Sequence, residues 1–519
     1  MKTVPTHKPD TGLGQKLIAN TVFNFLGQVY VLLLGITVVP YVVHHLGPEH
    51  YGLITVVAAL GGFAGLLNLG IGQALSKYVS ELYWQGELQR IRALFQTAIA
   101  VSLFAGTTAC FLVIVFRNYL AGAFFHGEPD TQGFAVFAMF ITAFGVVFSL
   151  ATESLSALPI ALQRFDIYNR MNILLSTIRN LGSVVVLALG LFVKAVLLVY
   201  LISGFAGLLG YVYYARKLVP QLSLCPSFSW PDFKQLFGFS ASVLLAGASN
   251  LLVHRLDRVI VAYFLPIAAV AFYTIPYSLA ERTWMGVGNI TSVIFPSASE
   301  LFSMQAHDKL QELYIRATKM VLLAGIPVTI FLLAVPAQIL NYWVGTEYAV
   351  RGTLTLRFLA AGFLLNIFAH VPYVVAQGIN RPWISAKYSL LNGIANLVLF
   401  LLLIPRYGIV GAGAGFFISE AIVMPLFIWE VNRALRVSWP SVILGSYLRP
   451  VACGAGAFGI LWLFRSYGSS LMNLILVAAL VLAVFAILAL LGAIDRGERT
   501  RIYEQTLIVL RFRERPANV

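Results

Sequence analysis

Fourteen apolar runs follow one another along this chain, with only short polar pieces between them. They span approximately 17–43, 51–80, 93–116, 134–161, 168–190, 195–215, 236–262, 268–296, 317–343, 354–378, 384–404, 410–431, 444–464 and 471–493. A helix needs about 20 residues to cross ~30 Å of hydrocarbon, and nearly every run reaches that length. Hydrocarbon offers no partner for backbone N–H and C=O groups, so such runs must satisfy them internally, as helices. The expectation is an all-α integral membrane protein with about fourteen transmembrane helices. Composition excludes the soluble alternative: 11% of the residues are charged and 59% are hydrophobic, whereas soluble domains carry roughly 25% charged residues.

Cytoplasmic segments of membrane proteins are enriched in Lys and Arg, which sets the orientation. With the N-terminus inside, the inside segments hold 24 of the 35 Lys and Arg residues and the outside segments hold 6. Both termini are therefore expected in the cytoplasm. The net charge of +14 follows from this bias. It predicts attraction to anionic lipid headgroups and is not the footprint of a nucleic-acid binder. The stretch from Leu17 to Val43 is too long for a signal peptide and no small-residue cleavage site follows it, so it reads as a retained first helix. Three cysteines, Cys110, Cys225 and Cys453, form neither a disulfide framework nor a metal spacing.

The runs group into a cytoplasmic segment 1–16, an N-lobe 17–215 (helices 1–6), a linker 216–235, a C-lobe 236–431 (helices 7–12), helices 13 and 14 within 444–493, and a basic tail 494–519. A weak internal repeat supports two lobes. His45-Leu46-Gly47-Pro48-Glu49-His50-Tyr51-Gly52 and the segment from Phe264-Leu265-Pro266 to Phe272-Tyr273-Thr274 both give a leucine, a proline, a tight turn and a tyrosine opening the next helix. Six helices per repeat is an even number, so the halves would be parallel, an arrangement that transporters use around a substrate site. Prolines at 40, 266, 276, 327, 336, 372 and 425 are expected to mark kinks or broken turns.

Several chemistries are missing. No Gly-Lys pair exists, so there is no P-loop lysine and no ATP site; Asp-x-Asp and His-Glu-x-x-His are also absent. No extramembrane piece is long enough for a catalytic domain, and no catalytic or metal residue is assigned. His44, His45 and His50 read as a solvated outside loop. Gly411 to Gly415, alternating Gly and Ala, reads as close helix packing by small residues.

Ionisable residues at membrane depth are costly and are functional candidates by default. Those here are Glu153, Arg179, His254, Arg255, Asp257, Arg258, Glu281, Arg282 and Glu420. Guanidinium groups grip phosphate oxygens bidentately. Arg179, Arg255, Arg258 and Arg282, with Lys77 near the cytoplasmic mouth, are therefore the candidates for an anionic ligand. Asp257, Glu153 and Glu281 are the candidates for a coupling proton or sodium ion, or for ion pairs that fix packing. Arg255 and Arg258, three apart, are expected to share a face of helix 7.

Four stretches carry a resemblance. They are Asn20 to Gly27 with His45 to Leu53; Leu67-Asn68-Leu69-Gly70-Ile71-Gly72-Gln73-Ala74-Leu75 followed by Lys77; Asp257-Arg258-Val259-Ile260-Val261; and Arg406-Tyr407-Gly408-Ile409-Val410-Gly411-Ala412. Together with the helix count, they make the chain similar to the polysaccharide biosynthesis transporters. These are the Wzx-type flippases of lipid-linked oligosaccharides in the multidrug/oligosaccharidyl-lipid/polysaccharide exporter superfamily. Asn68 departs from the pattern, standing where many relatives have Asp. The resemblance implies two six-helix lobes around a central cavity, plus two C-terminal helices. It also implies an undecaprenyl-pyrophosphate-linked oligosaccharide as substrate, alternating access, and polysaccharide polymerase machinery as a partner. One rival is a cation-coupled multidrug antiporter of the same superfamily, which would want an acidic rather than an arginine-rich cavity. Another is a membrane-embedded polymerase or ligase, which would need a large outside loop.

Overall fold

The structure is a computed structural model and describes residues 13–64, 70–124, 129–238, 255–291, 294–464 and 470–494. The described residues are helical almost throughout and include no strand. In chain order the helices are α1 (Leu13–Ala64), α2 (Ile71–Gln85), α3 (Leu88–Phe124), α4 (Pro129–Ala161), α5 (Phe165–Ala188) and α6 (Val193–Leu218). After them come α7 (Leu256–Phe264), α8 (Ile267–Thr291), α9 (Ile294–Ser303), α10 (His307–Ala334), α11 (Pro336–Val344) and α12 (Thr346–Gly378). The last four are α13 (Pro382–Leu435), α14 (Trp439–Val442), α15 (Leu448–Phe464) and α16 (Leu471–Leu488). Wide π-turns, Ile443–Tyr447 and Ala489–Ala493, join α14 to α15 and end α16.

Ten stretches among the described residues are long and apolar enough to cross a membrane. Two of the long helices are really pairs. α1 breaks at Gly47 (φ 71°, ψ 170°) and α13 at Gly408 (φ 60°, ψ −141°). Counting those pairs separately gives twelve among the described residues, roughly consistent with the fourteen that the hydropathy pattern predicts; most of the seventh predicted run lies outside the described residues. Of the prolines expected to mark kinks or broken turns, Pro266 lies in the break between α7 and α8 and Pro336 opens α11. Pro40, Pro276, Pro327, Pro372 and Pro425 lie inside continuous helices. There a proline removes one backbone hydrogen bond, which membrane helices tolerate. A positive φ reverses the chain and is readily adopted only by glycine.

The chain divides into two compact units, Met1–Ala271 and Phe272–Val519. In the first unit, α2, α3, α4 and α6 gather around a buried core that includes Leu75, Phe95, Leu158 and Tyr211. The segment after α6 is strapped to the start of α3. Thr97 Oγ1 donates to the Ser227 carbonyl (3.3 Å), and Arg90 reaches Asp232 (3.0 Å) and the Gln235 amide oxygen (2.7 Å). Leu236 seats the short helix at 230–238 in the core. The turn at Pro48 and the turn at Pro266 meet, because a side chain at Gly52 would overlap the Ile267 carbonyl oxygen. The two ends of the internal repeat therefore pack on each other.

In the second unit, α10, α12, the latter half of α13, α15 and α16 share one core. Lipid tails are as apolar as leucine, so helix association in a membrane depends on close packing at small residues. Gly411, Gly413 and Gly415 are buried and do this for α13. A Cβ at Gly413 would sit 3.1 Å from the Thr355 carbonyl oxygen of α12, and one at Gly415 would sit 3.0 Å from the Phe400 ring. The small-residue reading of that stretch is correct.

Some sequence expectations need amending. His44, His45 and His50 lie in helical turns flanking Gly47 rather than in an open loop. His45 and His50 use Nδ1 on the carbonyls of Tyr41 (2.8 Å) and Leu46 (3.1 Å). Lys319, counted among the inside polar residues, is buried in α10. The basic tail beyond Ile494 lies outside the described residues, as do His254 and Asn68.

Candidate functional site

Helix 7 is the richest in charge, and its geometry differs from a plain helical face. Among the described residues the helix starts only at Leu256. Arg255 precedes it with a non-helical backbone (φ −136°, ψ −24°). Arg255 and Arg258 therefore do not share a helical face, because only Arg258 is in the helix. The geometry instead puts both guanidinium groups at a helix N-terminus. There, unpaired N–H groups and the helix dipole already favour an anion. Asp257 is fully buried, and its Oδ1 accepts the Arg258 backbone N–H (2.8 Å). Its carboxylate thus serves the first turn of the helix. The Arg255 side chain is exposed and lies along α1: a Cβ at Gly62 would be 3.2 Å from its Cδ and 3.4 Å from its Nη1. A bulkier residue than glycine at 62 would take the space of the guanidinium.

The other candidates of the first unit are spread over its helices. Lys77 is exposed on α2, its ammonium 5.2 Å from the Tyr78 ring centroid. Glu153 is exposed on α4, and its Cγ lies 3.2 Å from where a Gly72 Cβ would be. Next to it, buried Ser154 is hydrogen-bonded to Ser102 of α3 (2.7 Å). Arg179 is exposed on α5. Two residues before it, Thr177 pairs with Tyr30 of α1 (3.0 Å). An arginine exposed at membrane depth faces water or a polar ligand, since hydrocarbon contact is costly. The structure thus brings Arg255, Asp257 and Arg258 together on one turn and leaves Lys77, Glu153 and Arg179 on separate helices.

Glu281 and Arg282 are half-buried in α8, within the second unit. Arg282 Nε donates to the Ser278 carbonyl one turn back (3.2 Å). Beyond them on α8, the Trp284 indole N–H donates to His370 Nδ1 of α12 (3.3 Å), and His370 Nε2 meets the Thr291 hydroxyl (3.0 Å). With Nδ1 accepting, the imidazole proton is on Nε2 and is given to Thr291.

The second unit also buries a carboxylate. Glu420 of α13 has no exposed surface. Its Oε1 accepts from the Asn392 amide (2.9 Å), and the Asn366 side chain of α12 lies beside the carboxylate. Asn392 Oδ1 in turn accepts from Asn396 (3.3 Å) and from the Ser419 hydroxyl. Oε2 of Glu420 has no hydrogen-bond partner among the described residues. No group of three or more His, Cys, Asp or Glu side chains suited to a metal occurs among the described residues. Sequence reading flagged Glu420 as a membrane-depth charge but missed its amide partners. The signal was Asn392 and Asn396, two amides one turn apart in an apolar run.

Known proteins resemble the chain over most of its length. A Shigella flexneri protein named "Putative O-antigen transporter" is 23% identical over 429 residues, covering 81% of this chain and 99% of that protein. Two solved structures share the fold. The lipid II flippase MurJ in an inward closed conformation has a TM-score of 0.68 at 13% identity, covering 90% of this chain and 98% of that one. An inward-facing multidrug resistance MATE family transporter of the MOP superfamily has a TM-score of 0.65 at 15% identity, covering 80% and 98%. The family model described as "Polysaccharide biosynthesis protein" matches residues 44–351, more than half of the sequence. The chain therefore belongs to the polysaccharide biosynthesis protein family.

Proposed function

We propose that this protein is a flippase that carries an undecaprenyl-pyrophosphate-linked oligosaccharide from the inner to the outer leaflet by alternating access. The family match carries the reading, and the chemistry of helix 7 suits it. A sugar and pyrophosphate head group cannot enter hydrocarbon without losing its hydrogen bonds to water. Arg255 and Arg258, at the N-terminus of α7, supply charge-assisted hydrogen bonds for pyrophosphate oxygens. Arg179, Arg282 and Lys77 extend that basic character to other helices. The cell inner membrane as the compartment follows from the family resemblance, and the cytoplasmic placement of both termini from the Lys and Arg bias. Anionic lipids and polysaccharide polymerase machinery are the expected neighbours.

Coupling is assigned to buried carboxylates. Glu420 and Asp257 are fully buried, whereas Glu153 is exposed and Glu281 is half-buried. Glu420, with Oε2 unpartnered and amides around it, suits a proton or a sodium ion that enters and leaves during the cycle. Asp257 is committed to the first turn of α7.

The decisive assay deletes the gene in a host without a duplicate transporter and asks which leaflet holds the lipid-linked sugars. Accumulation in the cytoplasmic leaflet is expected, with rescue by wild type and not by Arg255→Ala or Arg258→Ala. A normal leaflet distribution sinks the flippase reading. A second reading, a cation-coupled multidrug antiporter, is favoured by the MATE fold and the buried Glu420. Drug efflux that requires Glu420, with unchanged lipid-linked sugars, would establish it instead.

A further inference from the structure

We infer that the second unit carries a binding site for the neutral, hydroxyl-rich part of the substrate: an aromatic and amide cup between α9 and the end of α12, continued upward by an uncharged polar stripe on α12. The inference rests on the flippase reading for its substrate class. The cup has a volume of about 750 Å3. Phe295 and Phe302, seven apart on α9, offer exposed ring surface on one side. Ser299 and Ser303 share that helix, and Gln377 and Asn380 approach from α12 and the turn after it. This is the chemistry that holds a sugar, with rings against C–H faces and fixed hydroxyls and amides for O–H groups. Gln305, His307 and Gly378 complete the lining, which includes no Lys, Arg, Asp or Glu, so the cup is dominated by neutral groups.

Its geometry is held by backbone. α9 and α12 touch at Gly378, where a Cβ would sit 2.9 Å from the Ala298 Cβ and 3.3 Å from the Ser299 amide nitrogen. The turns on either side of the cup are closed by Gln305 and Asn380, both left-handed (φ 55° and 58°). Such backbone on non-glycine residues persists only where the surroundings fix it.

The cup is also the mouth of a longer feature. Asn366, His370, Tyr373 and Gln377 recur on α12 at spacings of four, three and four, which aligns them on one face of a helix. All four retain exposed surface, while Ile367, Val371 and Val375 beside them are buried. Trp284 lies over this stripe, its ring 5.4 Å from His370, and its indole N–H is fixed on Nδ1. His370 is satisfied within the protein by Trp284 and Thr291, and the exposed surface of Tyr373 and Gln377 is the part of the stripe open to a ligand. The stripe leads from the cup to Asn366 beside Glu420. The second unit thus offers neutral recognition along a line, in contrast to the arginine turn of α7 in the first.

The test uses the full-length protein in cells that make the lipid-linked oligosaccharide. A benzophenone amino acid replaces Phe302 in one strain and Leu463, three-quarters exposed on α15, in another. After irradiation the purified protein is analysed by mass spectrometry. An adduct bearing sugar mass at 302 and not at 463 is the expected result. Phospholipid adducts at 302, or no sugar adduct there in cells that still export polysaccharide, overturn the inference. Gln377→Leu combined with Ser299→Ala is expected to cut export about tenfold, the equivalent of one or two lost hydrogen bonds, with protein level and inorganic pyrophosphate binding unchanged. Unchanged export also overturns the inference. Failure of the flippase reading itself shows separately, as a normal leaflet distribution in the deletion strain.

Discussion

At the scale of single residues, two glycines differ in what they provide. Gly47 has φ 71° with no atom within 4 Å of where a Cβ would be, so only backbone conformation demands it. Gly411 has an ordinary helical backbone, but a Cβ there would overlap the Leu403 carbonyl oxygen. Gly47→Ala is therefore expected to cost about 1–3 kcal/mol of backbone strain. Gly411→Ala must displace main chain, and is expected to exceed the ~1–3 kcal/mol typical of overpacking. Thermal unfolding of the two variants in detergent orders them. Asn392→Ala is expected to cost on the order of 1–3 kcal/mol by stripping the buried Glu420 and Ser419 of a partner, seen in the same melts. Glu420→Gln keeps an oxygen for Asn392 and is expected to fold while losing the dependence of transport on the ion gradient. The membrane-depth charges were legible in the sequence because hydrocarbon makes any ionisable residue conspicuous. Their partners were not. Asn392 is 28 positions from Glu420, and only the packed hairpin brings them together.

Among the helical elements, the gaps between apolar runs bracket the two breaks inside α1 and α13, which fall on Gly47 and Gly408. Pro48 and Pro405 nearby were the visible trace of a turn that glycine makes. Of the prolines expected to mark kinks or broken turns, Pro266 and Pro336 stand at helix ends and the other five inside helices. The polar stripe of α12 was also present in the sequence as a helical spacing of Asn366, His370, Tyr373 and Gln377, though none of these is a charge that draws notice. The strap after α6 was legible only as a linker. Among its attachments is the ion pair of Arg90 with Asp232, in which the Asp232 side chain is 4% exposed. Arg90→Ala leaves that carboxylate buried without its cation and is expected to cost about 1–3 kcal/mol locally. The check is hydrogen exchange, which should rise over 222–237 and stay unchanged in α10 and α12. Asp232→Asn is the milder variant, because its carbonyl still accepts from Arg90.

For the whole molecule, the all-helical membrane architecture was readable because a bilayer imposes a length rule on every segment. The assignment of chemistry was not readable, since it depends on which helices share a unit. The arginine turn of α7 belongs to the first unit, and the buried Glu420 and the α12 stripe to the second. Binding of inorganic pyrophosphate by the purified protein is expected to fall at least tenfold in Arg255→Ala, as for loss of a charge-assisted pair worth ~1.5–3 kcal/mol, and to weaken with added salt. Arg255→Lys is expected to recover only part, because an ammonium lacks the bidentate fork. Titration calorimetry at two ionic strengths reads both effects.

The glycine breaks also bear on how the chain is made. Between the two halves of α13 there is no hydrophilic loop, only Pro405, Arg406 and Tyr407 ahead of Gly408, inside one helical run of 54 residues. α1 turns back just as tightly at Gly47 and Pro48. An insertion machine that reads one apolar segment at a time has only Arg406 and Tyr407 as polar residues at which to stop between the halves of α13, whereas α1 offers it His44, His45, Glu49 and His50. The two halves of α13 are therefore expected to enter the bilayer as one hairpin. The Gly411 and Gly415 contacts then form within that hairpin, and the Gly413 contact forms against α12, which is already made.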